Sequence, residues 1–145
     1  MSHDLRFARL IDAPPEEVFT AFTEPRGQEA FYGWDDPGWI VRSECDLRVG
    51  GVWTVEFGPS PSQLYRHRHV FEVIDPPRRL VLATTETRLD GSSFDTELEF
   101  TFEEEEDGKT LMTMIHRGFP SAELRDEHRA GLPTVFARFE QAIEQ

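Results

Sequence analysis

The clearest period in the chain is two. Phe94, Thr96, Leu98, Phe100 and Phe102 alternate with Asp95, Glu97, Glu99, Thr101 and Glu103, which predicts a strand with one buried and one wetted face. The same rhythm turns Trp53, Val55 and Phe57 inward and leaves Thr54 and Glu56 outside. Turn-forming residues cut the stretch from Trp39 to His116 into six runs: Trp39 to Leu47, Val52 to Phe57, Leu64 to Ile74, Arg79 to Glu86, Ser93 to Phe102 and Thr110 to His116. Between them lie Val49-Gly50-Gly51, Gly58-Pro59-Ser60-Pro61, Asp75-Pro76-Pro77, Leu89-Asp90-Gly91 and the acidic tip Glu103 to Gly108. Gaps this short predict a meander of antiparallel neighbours. A further strand is predicted over residues 4–11, where Leu5, Phe7 and Arg9 oppose Arg6, Ala8 and Leu10.

Helical spacing flanks the meander. Pro14 and Pro15 suit a first helical turn, Glu16 and Glu17 suit its positive end, and Val18, Phe19, Ala21 and Phe22 supply an apolar face. Pro25 breaks this helix before a short second one over Arg26 to Phe31. Near the C-terminus, Ser121 is a candidate N-cap, and Leu124, His128, Leu132, Val135, Phe136, Phe139 and Ile143 recur at steps of three and four. Pro133 lies inside that pattern and lacks the amide that would bond Arg129, so a kink or restart is expected near Gly131. A sheet with one apolar face needs a cover, and this helix supplies it.

Composition narrows the function classes. The chain has 145 residues, 38% of them hydrophobic, within the range of one domain over 1–145. Its net charge of −13 repels nucleic-acid phosphates and disfavours an anionic membrane surface. With Cys45 the lone cysteine, neither an intrachain disulfide nor a CxxC pair can form, which fits a reducing, cytoplasmic compartment. The segment from Met1 to Arg6 lacks the basic and apolar regions of a secretion signal, and no apolar run is long enough to span a membrane. Neighbouring Asp46 raises the Cys45 thiol, Gly50-Gly51 lacks the lysine of a phosphate-binding loop, and the acidic run lacks calcium-site spacing.

Several short words in the sequence act together. These are Ile11 to Phe19, with its strand-to-helix passage through Ala13-Pro14; Asp46 to Trp53, with its Gly-Gly hairpin; Asp75 to Leu80, with its Pro-Pro turn; and His116-Arg117-Gly118-Phe119-Pro120. As a set they resemble the SRPBCC proteins related to the activator of Hsp90 ATPase, over nearly the whole chain. The resemblance implies an α+β helix-grip fold like that of START domains and the major birch pollen allergen. In it a seven-stranded curved antiparallel sheet wraps a long C-terminal helix, and two short helices follow the first strand. It further implies a hydrophobic pocket between sheet and helix. Two departures touch that pocket: Gly131-Leu132 stands where Gly-Trp is common, and His69 where the fourth strand often has glycine.

One helix about 10 to 12 Å across does not fill the concave side of such a sheet, so a pocket lined by aromatic and a few polar groups is expected. The sheet should contribute Trp53, Val55, Phe71, Leu98, Phe100 and Met114, and the helix Leu132, Val135, Phe136 and Phe139. These rings could instead plug the hollow. His67 and His69 are two apart and should share a face, pointing inward if Phe71 and Val73 do. Together with Tyr65 they either orient a ligand's polar end or mark a polar mouth that balances acidic charge. His116 follows Met112 and Met114 on alternate positions and so should face the helix, either as a ligand contact or as a satisfied core histidine; Thr96, on the apolar side of its own strand, is a further lining candidate. Glu86 shares a face with Thr84, Leu80 and Leu82, where a carboxylate is costly unless paired, or else it ends the strand in water. No third metal ligand follows from spacing, so neither metal nor cofactor is expected. Trp34 to Trp39 forms a loop at the usual mouth of this fold, either a lid or an anchoring plug.

The first expectation for function is binding of a small hydrophobic molecule, aromatic or lipid-like, with no nucleic acid or membrane as partner and a homodimer left open. An enzyme using the same cavity and a histidine for proton transfer, as in polyketide aromatase or cyclase relatives of the fold, is the alternative. A co-chaperone-like interaction protein ranks last, for no arm or second domain supplies a surface.

Overall fold

Short turns make each strand pair with the next, and the chain builds its sheet accordingly. The computed structural model describes residues 3–33 and 38–144; Trp34, with Asp35 to Pro37, lies outside them. The elements are β1 (His3–Ile11), α1 (Pro15–Phe22), α2 (Pro25–Phe31), β2 (Ile40–Cys45), β3 (Val52–Ser60), β4 (Gln63–Asp75), β5 (Arg79–Thr87), β6 (Ser93–Glu104), β7 (Thr110–Phe119) and α3 (Ala122–Glu144). They form one seven-stranded sheet in the order β1-β7-β6-β5-β4-β3-β2. Every pairing is antiparallel. The curved sheet, two short helices after β1 and long closing helix make the α+β helix-grip arrangement.

The helices start where their sequences say. Pro15 and Pro25 occupy the first turns of α1 and α2. The Leu124 amide donates to Ser121 Oγ at 3.1 Å, capping α3. At Gly27 the two short helices approach so closely that a Cβ would collide with the Ala21 carbonyl. α3 is fastened to β1 and the turn after it through Glu140, whose Oε1 accepts from Arg9 Nη2 at 2.9 Å and whose Oε2 accepts from the Asp12 amide at 3.0 Å.

Three local expectations need correcting. Of the kink or restart expected near Gly131, the restart does not occur, for α3 runs through Pro133 as one helix. Arg129 and Pro133 are both exposed, so the carbonyl that loses its amide partner sits on the wetted side of the helix. In β4 a bulge between Phe71 and Val73 breaks the simple alternation: Phe71 pairs Leu82, Val73 pairs Val81, and Ile74 pairs Leu80. Phe71 and Ile74 therefore face the core and Val73 the other side. The strand predicted from Trp39 to Leu47 is shorter, Ile40–Cys45, and β3 continues to Ser60 through residues read as a turn.

One end of the concave face is filled with rings. Phe22 of α1 is fully buried, with its ring centroid 4.6 Å from Phe100, 5.3 Å from Phe31, 5.5 Å from Trp53 and 5.6 Å from Phe139. Most are edge-on or tilted, the arrangement that ring quadrupoles favour.

Candidate functional site

The packing does not continue along the whole groove. A cavity of about 400 Å³ opens between the sheet, the end of α2 and the first half of α3. Trp53, Phe57, Leu98, Phe100 and Met114 form its sheet wall, with Phe31 and Tyr32 at one side and Leu132 and Val135 from α3 opposite. Trp53 is held by a buried chain: its indole N–H donates to Ser43 Oγ at 2.8 Å, and the Ser43 hydroxyl donates to Gln28 Oε1 at 2.7 Å.

The polar end gathers around Glu86, only 4% exposed although it lines the cavity. Its Oε1 lies 2.8 Å from His128 Nε2 and 3.1 Å from His67 Nε2. Its Oε2 lies 3.5 Å from His116 Nε2, which bonds instead with Thr96 Oγ1 at 2.7 Å. On the far side, His67 Nδ1 meets the Tyr32 hydroxyl at 2.8 Å, that hydroxyl meets His69 Nε2 at 3.1 Å, and His69 Nδ1 meets Thr84 Oγ1 at 2.8 Å. Thr84 and Glu86 are thereby joined through two imidazoles and a phenol. With His67 neutral, each hydroxyl or ring N–H donates toward Glu86; with a proton on both its nitrogens, the bonds beyond it reverse.

Hydrogen-bond counting fixes the state of His128. Its Nδ1 faces the Leu124 carbonyl at 2.9 Å, which only accepts, and its Nε2 faces a carboxylate, so both nitrogens donate and the ring is an imidazolium. Burial opposes that charge, but the hydrogen bond and charge of Glu86, helped by the Leu124 carbonyl, raise His128 above its ordinary value. Burial likewise opposes ionisation of Glu86, yet the charge interaction with His67 and the hydrogen bonds from His128 and His67 hold it well below the usual carboxylate range. Burial lowers His116 to about 4 against the pull of Glu86, and burial with neighbouring His67 holds His69 well below its ordinary value. Tyr32 is raised by burial and by Glu86. Near neutrality the site is an ionised carboxylate and an imidazolium beside two neutral imidazoles. Neither Glu86 nor His116 is poised to take up a proton there, since an effective base titrates near the working pH.

Residues 12–144 match the family model described as Activator of Hsp90 ATPase homolog 1-like protein. The chain belongs to that family. Solved structures share the fold: protein CV1439 from Chromobacterium violaceum is 22% identical with a TM-score of 0.82, covering 99% of both chains. A protein from Rhizobium leguminosarum is 18% identical with a TM-score of 0.81, over 99% of this chain and 95% of that one. CalU16 from Micromonospora echinospora is 24% identical with a TM-score of 0.66, over 97% and 75%. No curated protein matches the chain.

In this member of the Activator of Hsp90 ATPase homolog 1-like family, Trp53, Tyr65, His67, Glu86, Leu98 and Phe100 line the cavity, as do Met114, His116, Leu132 and Val135. Phe71, Phe136 and Phe139 belong to the packed core instead. Val55 is wholly buried and does not reach the cavity. His69 and Thr96 sit behind the wall, bonded to Tyr32 and His116 that line it, and Thr84 stands behind His69, to which it is bonded. Trp34 lies outside the described residues, whereas Trp39, 38% exposed, reaches the cavity. Of the two readings of Glu86, the paired and buried one holds, through His67 and His128.

Two members of the polar network escaped the sequence reading of the site. Tyr32 follows the end of α2, beyond any periodic pattern. His128 did leave a signal, an imidazole on the apolar stripe of a helix. Among the described residues no group of three or more His, Cys, Asp or Glu side chains is arranged to hold a metal ion. The imidazole nitrogens of His67 and His128 converge on a carboxylate oxygen rather than on a common empty point. Burial, with Asp46 adding to it, raises the Cys45 thiol despite a Gln28 hydrogen bond, which suits an unreactive cysteine. No helix of the described residues is long and apolar enough to cross a membrane.

Proposed function

We propose that the chain takes a small hydrophobic molecule, with an aromatic rather than long-chain body, into the cavity between sheet, α2 and α3. The observation that carries this reading is the unfilled space of about 400 Å³ beside an otherwise ring-packed groove. That volume is within the range of small-molecule sites, and its mix of aromatic walls with convergent polar groups is their usual chemistry. Burial of apolar ligand surface at about 25 cal/mol per Å² supplies the affinity. Membership of a family built on a binding scaffold supports the same reading.

Leu132→Trp tests it. Leu132 is 7% exposed and lines the cavity from α3, so the larger indole occupies the space a ligand would take. Titration with 2-naphthol, followed by tryptophan fluorescence and calorimetry, should show binding to the native chain and a loss of about tenfold or more in the folded variant. Equal binding by both would remove the cavity as the site.

A further inference from the structure

We propose that the polar end of this ligand is a hydrogen-bond donor, a hydroxyl or N–H on the aromatic body, received by the Glu86 carboxylate. The proposal rests on the cavity reading above and narrows it to a ligand class.

The inference comes from counting donors and acceptors at one end of the cavity. Glu86 offers two oxygens, and Oε1 takes both imidazole contacts, from His67 at 3.1 Å and His128 at 2.8 Å. Oε2 is buried and meets no hydrogen-bond donor among the described residues. Its neighbour His116 Nε2, 3.5 Å away, is committed to Thr96 Oγ1 at 2.7 Å. A buried carboxylate oxygen without a donor is costly, whereas a hydrogen bond to a charged acceptor is among the strongest a neutral ligand can make. The imidazole protons are meanwhile spent: His128 gives its two to Glu86 and to the Leu124 carbonyl, and the Nε2 proton of His67 goes to Glu86. Around Glu86 the wall therefore has acceptor capacity to spare and no spare imidazole proton on the Glu86 side.

Oε2 lies just beneath the wall, yet the last torsion of a glutamate is broad and soft. A modest rotation that keeps His128 on Oε1 brings Oε2 to a donor standing in the cavity. A carboxylate-bearing ligand, such as a fatty acid, would instead set like charge against Glu86. Arg88, Arg138 and Glu127 also line the cavity, so an anion read by the two arginines is the competing outcome.

Three probes of one size class decide the matter on the purified full chain by isothermal titration: 2-naphthol, 2-methoxynaphthalene, which accepts but does not donate, and 2-naphthoate. The native protein should bind 2-naphthol about tenfold or more tightly than 2-methoxynaphthalene, and 2-naphthoate more weakly than 2-naphthol. Glu86→Gln should shrink the first ratio to under about threefold while retaining 2-methoxynaphthalene. If that variant does not fold, the ratio in the native protein still decides. Equal affinity for 2-naphthol and 2-methoxynaphthalene overturns the donor assignment and leaves the cavity reading standing. So does 2-naphthoate binding most tightly, which assigns the polar end to the arginines. Binding of none of the three takes down both.

Discussion

The two ends of the groove between sheet and helices are built on opposite chemistry. At one end Phe22 sits among Phe31, Trp53, Phe100, Phe102 and Phe139, and the space is closed. At the other, Glu86, His67, His116 and His128 stand around a hollow. Rings make few directional demands, so they can settle edge to face until no room is left. Buried polar groups must meet their partners at hydrogen-bond distance, and a network that holds its members at fixed separations does not collapse to fill space. The ring end supplies stability; the polar end gives up some of it, and in the proposed function that cost serves recognition.

Phe22→Ala tests the ring end most severely. Removing a fully buried ring that touches five others should cost about 3–5 kcal/mol, read from denaturant midpoints. A cost no greater than that of a polar-end substitution would break the contrast. Glu86→Leu should cost less, about 2–3 kcal/mol, because it strands the His67 and His128 donors although the imidazolium can shed its charge. Pro133→Ala acts at the point of α3 that separates its His128 half from its Phe136 and Phe139 half. It restores an amide on the exposed side and should stabilise by about 1–2 kcal/mol, with affinity for 2-naphthol the sensitive readout of any coupling between the ends.

The smallest effect is in pH dependence, and it belongs to the polar end alone. His116, lowered to about 4, and His69, also held well below its ordinary value, are neutral in the fold but bind protons in the unfolded chain below about 6.5. Stability should therefore fall as the pH drops from there through 4, and more steeply once the Glu86 carboxylate, whose folded value is depressed, begins to be protonated in the unfolded chain. His128 works in the other direction. Its raised value contributes stability that is fully present below about 6.5 and is lost as the pH rises through its folded value. His128→Gln should flatten the alkaline limb of a plot of stability against pH; on the acid side it should weaken the Glu86 contribution, which His128 helps to create, and keep that of His116 and His69. An unchanged alkaline limb would remove the imidazolium assignment.

Much of this architecture can be read without coordinates because period and punctuation are local. Alternation in Phe94 to Glu103 places one face of β6 in the core, and Pro15, Pro25 and Ser121 begin helices for reasons confined to their own turns. The errors arise where a local rule meets a neighbour. The β4 bulge turns Val73 away from Phe71 because pairing with β5 sets the register there, and Pro133 is carried inside α3 because its defect faces water. The cavity residues divide in the same way. Period placed Trp53, Leu98, Phe100, Met114 and Leu132 on the concave side, but it did not separate them from Phe71, Phe136 and Phe139, which share that side and are packed shut.

The sequence by itself determined the strands, their antiparallel order and the apolar faces of sheet and closing helix, because each depends on residues a few positions apart. Only the tertiary structure decided that Tyr32, His67, Glu86 and His128 become one hydrogen-bonded group. They come from the end of α2, from two strands and from α3, and what a buried charge costs depends on partners that only folding brings within 3 Å or so.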